Sequence, residues 1–243
     1  MVKSSVPLIT AVCLLAGSLT ATAADEELVI GFVESAEPDF IESTISPTIN
    51  AIGGAMPEYK IRLERLSSLT LSSDIRLYQP DVIIAPVSDT VTLLDSQEGV
   101  HPVATRKTIL AADPAHSIGG AVIVRTDRTD IQGLDDLRDT RLIATLPNAI
   151  DGWLALSDEL GRTPREAKRY FSQVSFAGYG FPTVISAVLS GTYDAGVIPA
   201  CLLERVIEDG LVERNVLRVL APRDDSMLAC RHTTALYPDI VVS

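Results

Sequence analysis

The sequence predicts an α/β protein of two lobes, each a mixed, mostly parallel sheet with helices on both faces, with a ligand cleft between them. Three observations carry this. Short β-branched runs alternate with helical stretches in two separate series. Between the series lie two long extended runs, neither followed at once by a helix. And 243 residues at 47% hydrophobic content are enough for one large domain or two small lobes.

The first series opens with the strand "LVIGFV" (28–33), then a helix over about 40–52. "YKIRLERL" (59–66) alternates its sides as a strand, and a helix follows near 72–78. The apolar run in "DVIIAP" (81–86) is a buried strand, and a helix starts near Ser88. This β-α-β-α-β-α order requires parallel strands covered on both faces. The extended runs 103–111 and 118–125 are expected to carry the chain between lobes, with Gly119 and Gly120 permitting close backbone approach. The second series reads "RLIATLP", a helix over about 151–160, a short helix near 164–170, "QVSFAG", a helix over 181–190, "DAGVIP", a helix over 202–209 and "VLRVLAP". The expected division is 1–23 as signal peptide, 24–117 plus 222–243 as lobe 1, and 118–221 as lobe 2.

Lys3, the apolar run from Val6 to Leu19, and Ala21 and Ala23 in "ATAADEE" have the layout of a cleaved secretory signal. The run is short for a spanning helix, and Cys13 does not sit in a lipoprotein cleavage box, so release into the periplasm without membrane insertion is expected. The formal net charge is −12, and loss of Lys3 makes it more negative. Such a surface repels nucleic acid and anionic lipid.

Catalytic motifs are missing from the sequence: no G-x-S-x-G, no H-E-x-x-H and no Gly-rich phosphate loop. His101, His116 and His232 lack metal-ligand spacing, and neither a metal nor a cofactor is expected.

Three stretches, "GGAVIVRTDRTDIQGLDDLRDTRLIATLP", "VSFAGYGFPTVISAVLSGTYDAGVIPACLLE" and "HTTALYP", resemble the periplasmic phosphonate-type solute-binding superfamily. Within it they are most similar to the extracellular sensor domain of tetrathionate-responsive histidine kinases. The resemblance implies a type II periplasmic binding protein fold that closes on a small anionic solute without chemistry, acting as a monomer with a transporter permease or a sensor histidine kinase. It covers 119–238 well and 28–111 by layout. Asp139 stands where the family usually has Gly, and the chain stops after "LYPDIVVS", where relatives continue. A short stand-alone binder and a detached sensor module are both compatible with that ending.

In open α/β sheets ligands bind beyond the carboxyl ends of strands, where helix starts favour anions. That places Ser88 and Thr90 after "DVIIAP", and Tyr179 and Phe181 after "VSFAG". Asn148, Ile150 and Gly152 follow "RLIATLP", where the resemblance implies a small-residue ligand loop. Asp89 and Asp151 would repel an anion and are expected to cap helices. Arg125 and Arg231, near the crossovers, could clamp an oxyanion; the alternative is a surface or hinge ion pair, for Arg125 with Asp127 or Asp130.

Cys201 and Cys230 remain after signal cleavage, and an even pair in an oxidising compartment reads as a disulfide near the cleft. Two separate buried thiols, or Cys201 as a nucleophile with His232 as base, are the alternatives. The sensor resemblance adds exchange with a sulfur–sulfur bond in a ligand such as tetrathionate.

Overall fold

The computed structural model describes residues 26–34, 43, 45–96, 99–178 and 180–243. The expected signal peptide, the first residues of the expected 40–52 helix, and Tyr179 lie outside the described residues.

Two five-stranded sheets form two lobes. Lobe 1 contains β1 (Glu26–Val33), α1 (Ser46–Ala55), β2 (Tyr59–Leu66), α2 (Leu71–Tyr78), β3 (Val82–Pro86), α3 (Val87–Ser96) and β4 (Ala104–Thr105). Lobe 2 contains β5 (Gly120–Arg125), β6 (Arg141–Ala144), α4 (Ala155–Glu159), α5 (Pro164–Ala167), β7 (Gln173–Phe176), α6 (Phe181–Leu189), β8 (Ala195–Pro199), α7 (Leu202–Glu208) and β9 (Leu217–Val219). The chain then returns to lobe 1 as β10 (Ile240–Val242).

The strand orders are β2-β1-β3-β10-β4 and β7-β6-β8-β5-β9. In each sheet the fourth strand, β10 or β5, runs antiparallel to both neighbours. Chain direction explains this. Strands of β-α units run toward the crossovers, whereas a strand entering a lobe straight from a crossover must run away from them.

Two expectations are corrected here. Residues 120–125 do not carry the chain between lobes: Ala121 to Val124 are at most 1% exposed and form the middle of the lobe 2 sheet. Of the 103–111 run, Ala104–Thr105 alone is strand, because it has the single partner β10 and then meets Pro114 and a short 3₁₀ turn. The true crossovers are 106–119 and 220–239. They pair with each other at Ile118 and Tyr237, and at Ala111 and Leu228.

Gly119 sits where the crossovers cross most closely. A Cβ there would lie 2.7 Å from Leu236 and 2.9 Å from the Ala235 carbonyl oxygen. Asp139 adopts φ 60°, the left-handed region that Asp tolerates better than most residues, so the turn survives without glycine.

Lobe 2 packs a sheet core on both faces. One side gathers Val122, Leu142, Trp153, Leu156 and Phe171; the other gathers Ile123, Val184, Val188 and Ile198. Among the described residues the lobe 1 clusters are smaller and centre on Ile30, Phe32 and Ile45 on one side and Val33, Leu66 and Leu93 on the other. Among the described residues no helix is long and apolar enough to cross a membrane.

Candidate functional site: strand ends facing the crossovers

The parallel registers bring the carboxyl ends of β1, β2, β3 and β4 to one edge of lobe 1, beside the start of β10. The carboxyl ends of β6, β7 and β8 form the matching edge of lobe 2, where Gly120 pairs with Pro199 at the start of β5. Both crossovers leave from these edges. The two rows of strand ends therefore border one cleft.

On lobe 1, the turn after β2 supplies Ser68, whose hydroxyl donates to Asp89 at 3.0 Å. Asp89, in the first turn of α3, is buried, and that burial pushes its carboxyl above the usual range, with the Ser68 hydrogen bond partly opposing. Thr90 is buried, and its hydroxyl donates to the Pro86 carbonyl at 3.2 Å, so its proton is engaged within the helix. Ser88 is half-buried at the same helix start. Arg106 Nε donates to Asp239 at 2.6 Å, closing the crossover side of the edge.

On lobe 2, Thr145 follows β6 and is buried. The turn after it holds exposed Asn148 and half-buried Ile150, then kinks at Asp151 and Gly152, whose backbone angles are not helical, before α4. A Cβ on buried Gly152 would meet the Thr145 hydroxyl at 3.2 Å, so this turn folds tightly over the strand end. Asp151 lies at that kink, and Ala149, before it, makes no side-chain cap.

The start of α6 differs from that of α3. Gly180 is its N-cap and has no side chain to offer, Pro182 has no N–H, and the first turn holds no acid. Half-buried Phe181 opens the helix beside the β7 strand end. The positive end of the α6 dipole is thus uncompensated by any described acid in its first turn.

Cys201, in the left-handed region at φ 68°, leads into α7 and is disulfide-bonded to Cys230 in the second crossover, with Cα atoms 5.1 Å apart. This resolves the cysteine alternatives. The sulfur of Cys201 is bonded, which overturns separate thiols and a free nucleophile. His232, its supposed base, is buried with Nδ1 on the Thr234 carbonyl and Nε2 on Asp225.

Two arginines are not brought to the edge. Arg125 ends β5 at the end remote from the crossovers, where Nε donates to Asp127 at 2.9 Å. Arg231 lies against α7: its amide donates to Glu204 at 3.1 Å, and it lines a groove of about 220 Å³ with Glu208 of α7 and Arg218 of β9. Residues the sequence reading missed are Ser68, Thr145 and the pair Thr233 and Thr234. A hydroxyl within two residues of a strand end was the available signal for the first two.

The sequence model of the phosphonate ABC-transporter periplasmic substrate-binding proteins matches residues 30–242. No curated protein sequence matches the chain. Among solved structures, XAC2383 from Xanthomonas citri bound to ATP superposes with a TM-score of 0.61 at 20% identity, covering 89% of this chain and 76% of that one. PhnD1 from Prochlorococcus marinus in complex with methylphosphonate gives 0.57 at 14%, covering 90% and 76%. A binding component of a phosphonate transporter from Pseudomonas aeruginosa gives 0.56 at 14%, covering 90% and 68%. At these identities the structural likenesses speak to the fold, a two-lobed α/β binding protein. The match over 30–242 speaks to descent: the chain belongs to the phosphonate-type periplasmic substrate-binding family of ABC transporters.

Proposed function

We propose that the protein binds a small oxyanion in the cleft between the two rows of strand ends and closes its lobes on it, for delivery to a permease. The supporting observation is the start of α6, which carries no acid in its first turn and has glycine as its cap. An oxyanion there would meet backbone amides and the positive end of a nine-residue helix. Thr145 and the 146–152 turn flank it on the next strand of the same sheet. The methylphosphonate held by PhnD1 makes the phosphonate and phosphate class the first to test.

Sulfite and thiosulfate are near this class in size and charge, and the motif resemblance to tetrathionate sensors adds the longer tetrathionate dianion. Signalling to a separate histidine kinase rests on that resemblance alone. Melting in the presence of methylphosphonate, phosphate, phosphite, sulfite, thiosulfate and tetrathionate tests the reading. A ligand at about 100 times its Kd adds about 2.7 kcal/mol, which for this chain length is a rise of about 5–10 °C. No shift with any of the six would contradict it.

A further inference from the structure

We infer that the Cys201–Cys230 disulfide is a hinge clamp, which binds part of both crossovers to lobe 2 and confines lobe rotation to residues 107–109 and Pro238. The inference rests on the proposed closure about the crossovers. It follows from where each crossover residue is tied.

The second crossover is fastened to lobe 2 along most of its length. Arg223 donates to Glu159 of α4 at 2.8 Å and to the Thr233 carbonyl at 3.2 Å. Cys230 is bonded to Cys201, and the next amide, of Arg231, donates to Glu204 of α7. Thr233 and Thr234 donate their amides to the Gly120 carbonyl, and their hydroxyls accept from the amides of Val122 and Gly120. The Ala235 amide donates to Glu159 at 3.1 Å, and the Tyr237 hydroxyl to Asp158 at 3.0 Å. Lobe 1 holds this strand again from Asp239 onward, whose carbonyl accepts from the Val87 amide. Pro238 alone stands between the two sets of ties. It has no N–H to leave unpaired as the backbone turns.

The disulfide extends the clamp to the first crossover. Residues 227–229, just before Cys230, pair with residues 110–112: the Ala112 amide donates to the Met227 carbonyl at 2.8 Å, and the Ala229 amide to the Leu110 carbonyl at 3.0 Å. Ala221 to Ser226, the preceding segment, is exposed throughout. Without the covalent bond this arm would be held to lobe 2 by Arg223, by the Asp225 carboxylate on buried His232 and by the Arg231 amide, all hydrogen bonds or ion pairs of an otherwise exposed segment. With it, residues 110–112 move with lobe 2. Between them and Arg106, whose amide is bonded to the Ile240 carbonyl in lobe 1, lie Lys107, Thr108 and Ile109. Lys107 is exposed and Ile109 is fully exposed, so neither packs the joint in place; half-buried Thr108 accepts from the Ala111 amide at 3.3 Å, and the Ser117 hydroxyl reaches the Arg106 carbonyl across the joint at 3.5 Å, both long bonds that a rotation can break.

Hydrogen exchange without any ligand tests the clamp separately from the proposed solute. In the Cys201→Ser, Cys230→Ser double variant, the Ala112 and Ala229 amides should exchange at least about tenfold faster than in the oxidised protein. Val122, Val124 and Val197 in the lobe 2 sheet should keep their rates. If the variant does not fold, the oxidised protein reduced with a water-soluble phosphine, which takes up the oxygen of one water as the two thiols form, gives the same comparison. Unchanged rates at Ala112 and Ala229 would overturn the clamp. Loss of protection spreading through β5 and β8 would also overturn it, since the bond would then be a staple for the whole lobe.

Discussion

The two lobes share one strand order but not one kind of core. Lobe 2 buries Trp153 at 1% exposure, with Phe171 and Phe176 rings 6.1 and 5.9 Å from it, and packs helices on both faces of β5 and β8. In lobe 1, α1 buries no residue and β2 buries Leu66 alone. Of the large apolar side chains left exposed among the described residues, Leu211 belongs to lobe 2 and the others to lobe 1 or the first crossover. Topology therefore fixes where the cleft lies, while packing decides which lobe is the stiffer body. In the proposed closure, lobe 2, with the crossover strand fastened to it, would be the base against which lobe 1 moves.

Core truncation should expose that asymmetry with the largest effect. Trp153→Ala removes the centre of the larger cluster and should cost about 3–5 kcal/mol. Calorimetry should show lobe 2 losing its cooperative unfolding. Leu93→Ala in lobe 1, beside fewer buried neighbours, should cost less and leave the lobe 2 transition in place. Equal losses from both would remove the distinction between the lobes.

The helix starts differ in the same comparison. Asp89 puts a carboxylate in the first turn of α3, whereas the first turn of α6 has none. Gly180→Asp would place a negative charge where the oxyanion is proposed to sit and supply a good N-cap. Oxyanion affinity by calorimetric titration should fall at least about tenfold, about 1.4 kcal/mol, with stability unchanged or raised. Unchanged affinity would take α6 out of the site.

Carboxylates in the two lobes should titrate in opposite senses. Asp194, at the start of β8, accepts from Arg141 Nε at 3.0 Å and from Arg128 at 2.6 Å, and those contacts, Arg141 first, hold its carboxyl far below the usual range. Its contribution is fully present at neutral pH, and is lost as pH falls below about 4 toward the depressed folded value. Asp194→Asn should lower stability by about 1–3 kcal/mol at pH 7, with the difference shrinking in strong acid. Asp89 is the reverse case. Its raised folded value means that the buried charge costs stability at neutral pH, and the cost disappears as pH falls toward the unfolded value. Asp89→Asn should be more stable than the unsubstituted protein at pH 7, with the gain vanishing below about pH 4, by melting across pH. A loss at pH 7 would show that its charge, accepting from Ser68, is a stabilising contact.

Most of this architecture is legible in the sequence because parallel strands buried on both faces leave apolar runs such as "DVIIAP", and hydroxyls at strand ends mark helix starts. Strand direction is not legible. Residues 120–125 read as a crossover because no helix follows them, yet they form an inner strand that runs away from the cleft. That same reversal carries Arg125 to the remote end, where Asp127 and not a ligand is its partner. Arg231 lies in the second crossover next to the disulfide, and the structure sets it in a groove beside α7 and β9. Neither local periodicity nor residue type encodes that placement.

Small-angle scattering tests the central claim, closure of two lobes on an oxyanion, most directly. The oxidised protein would be titrated with whichever of the six oxyanions raises its melting temperature most. The account expects the radius of gyration to fall and to saturate with the same ligand dependence as binding. A radius unchanged from the free protein to saturation would contradict it.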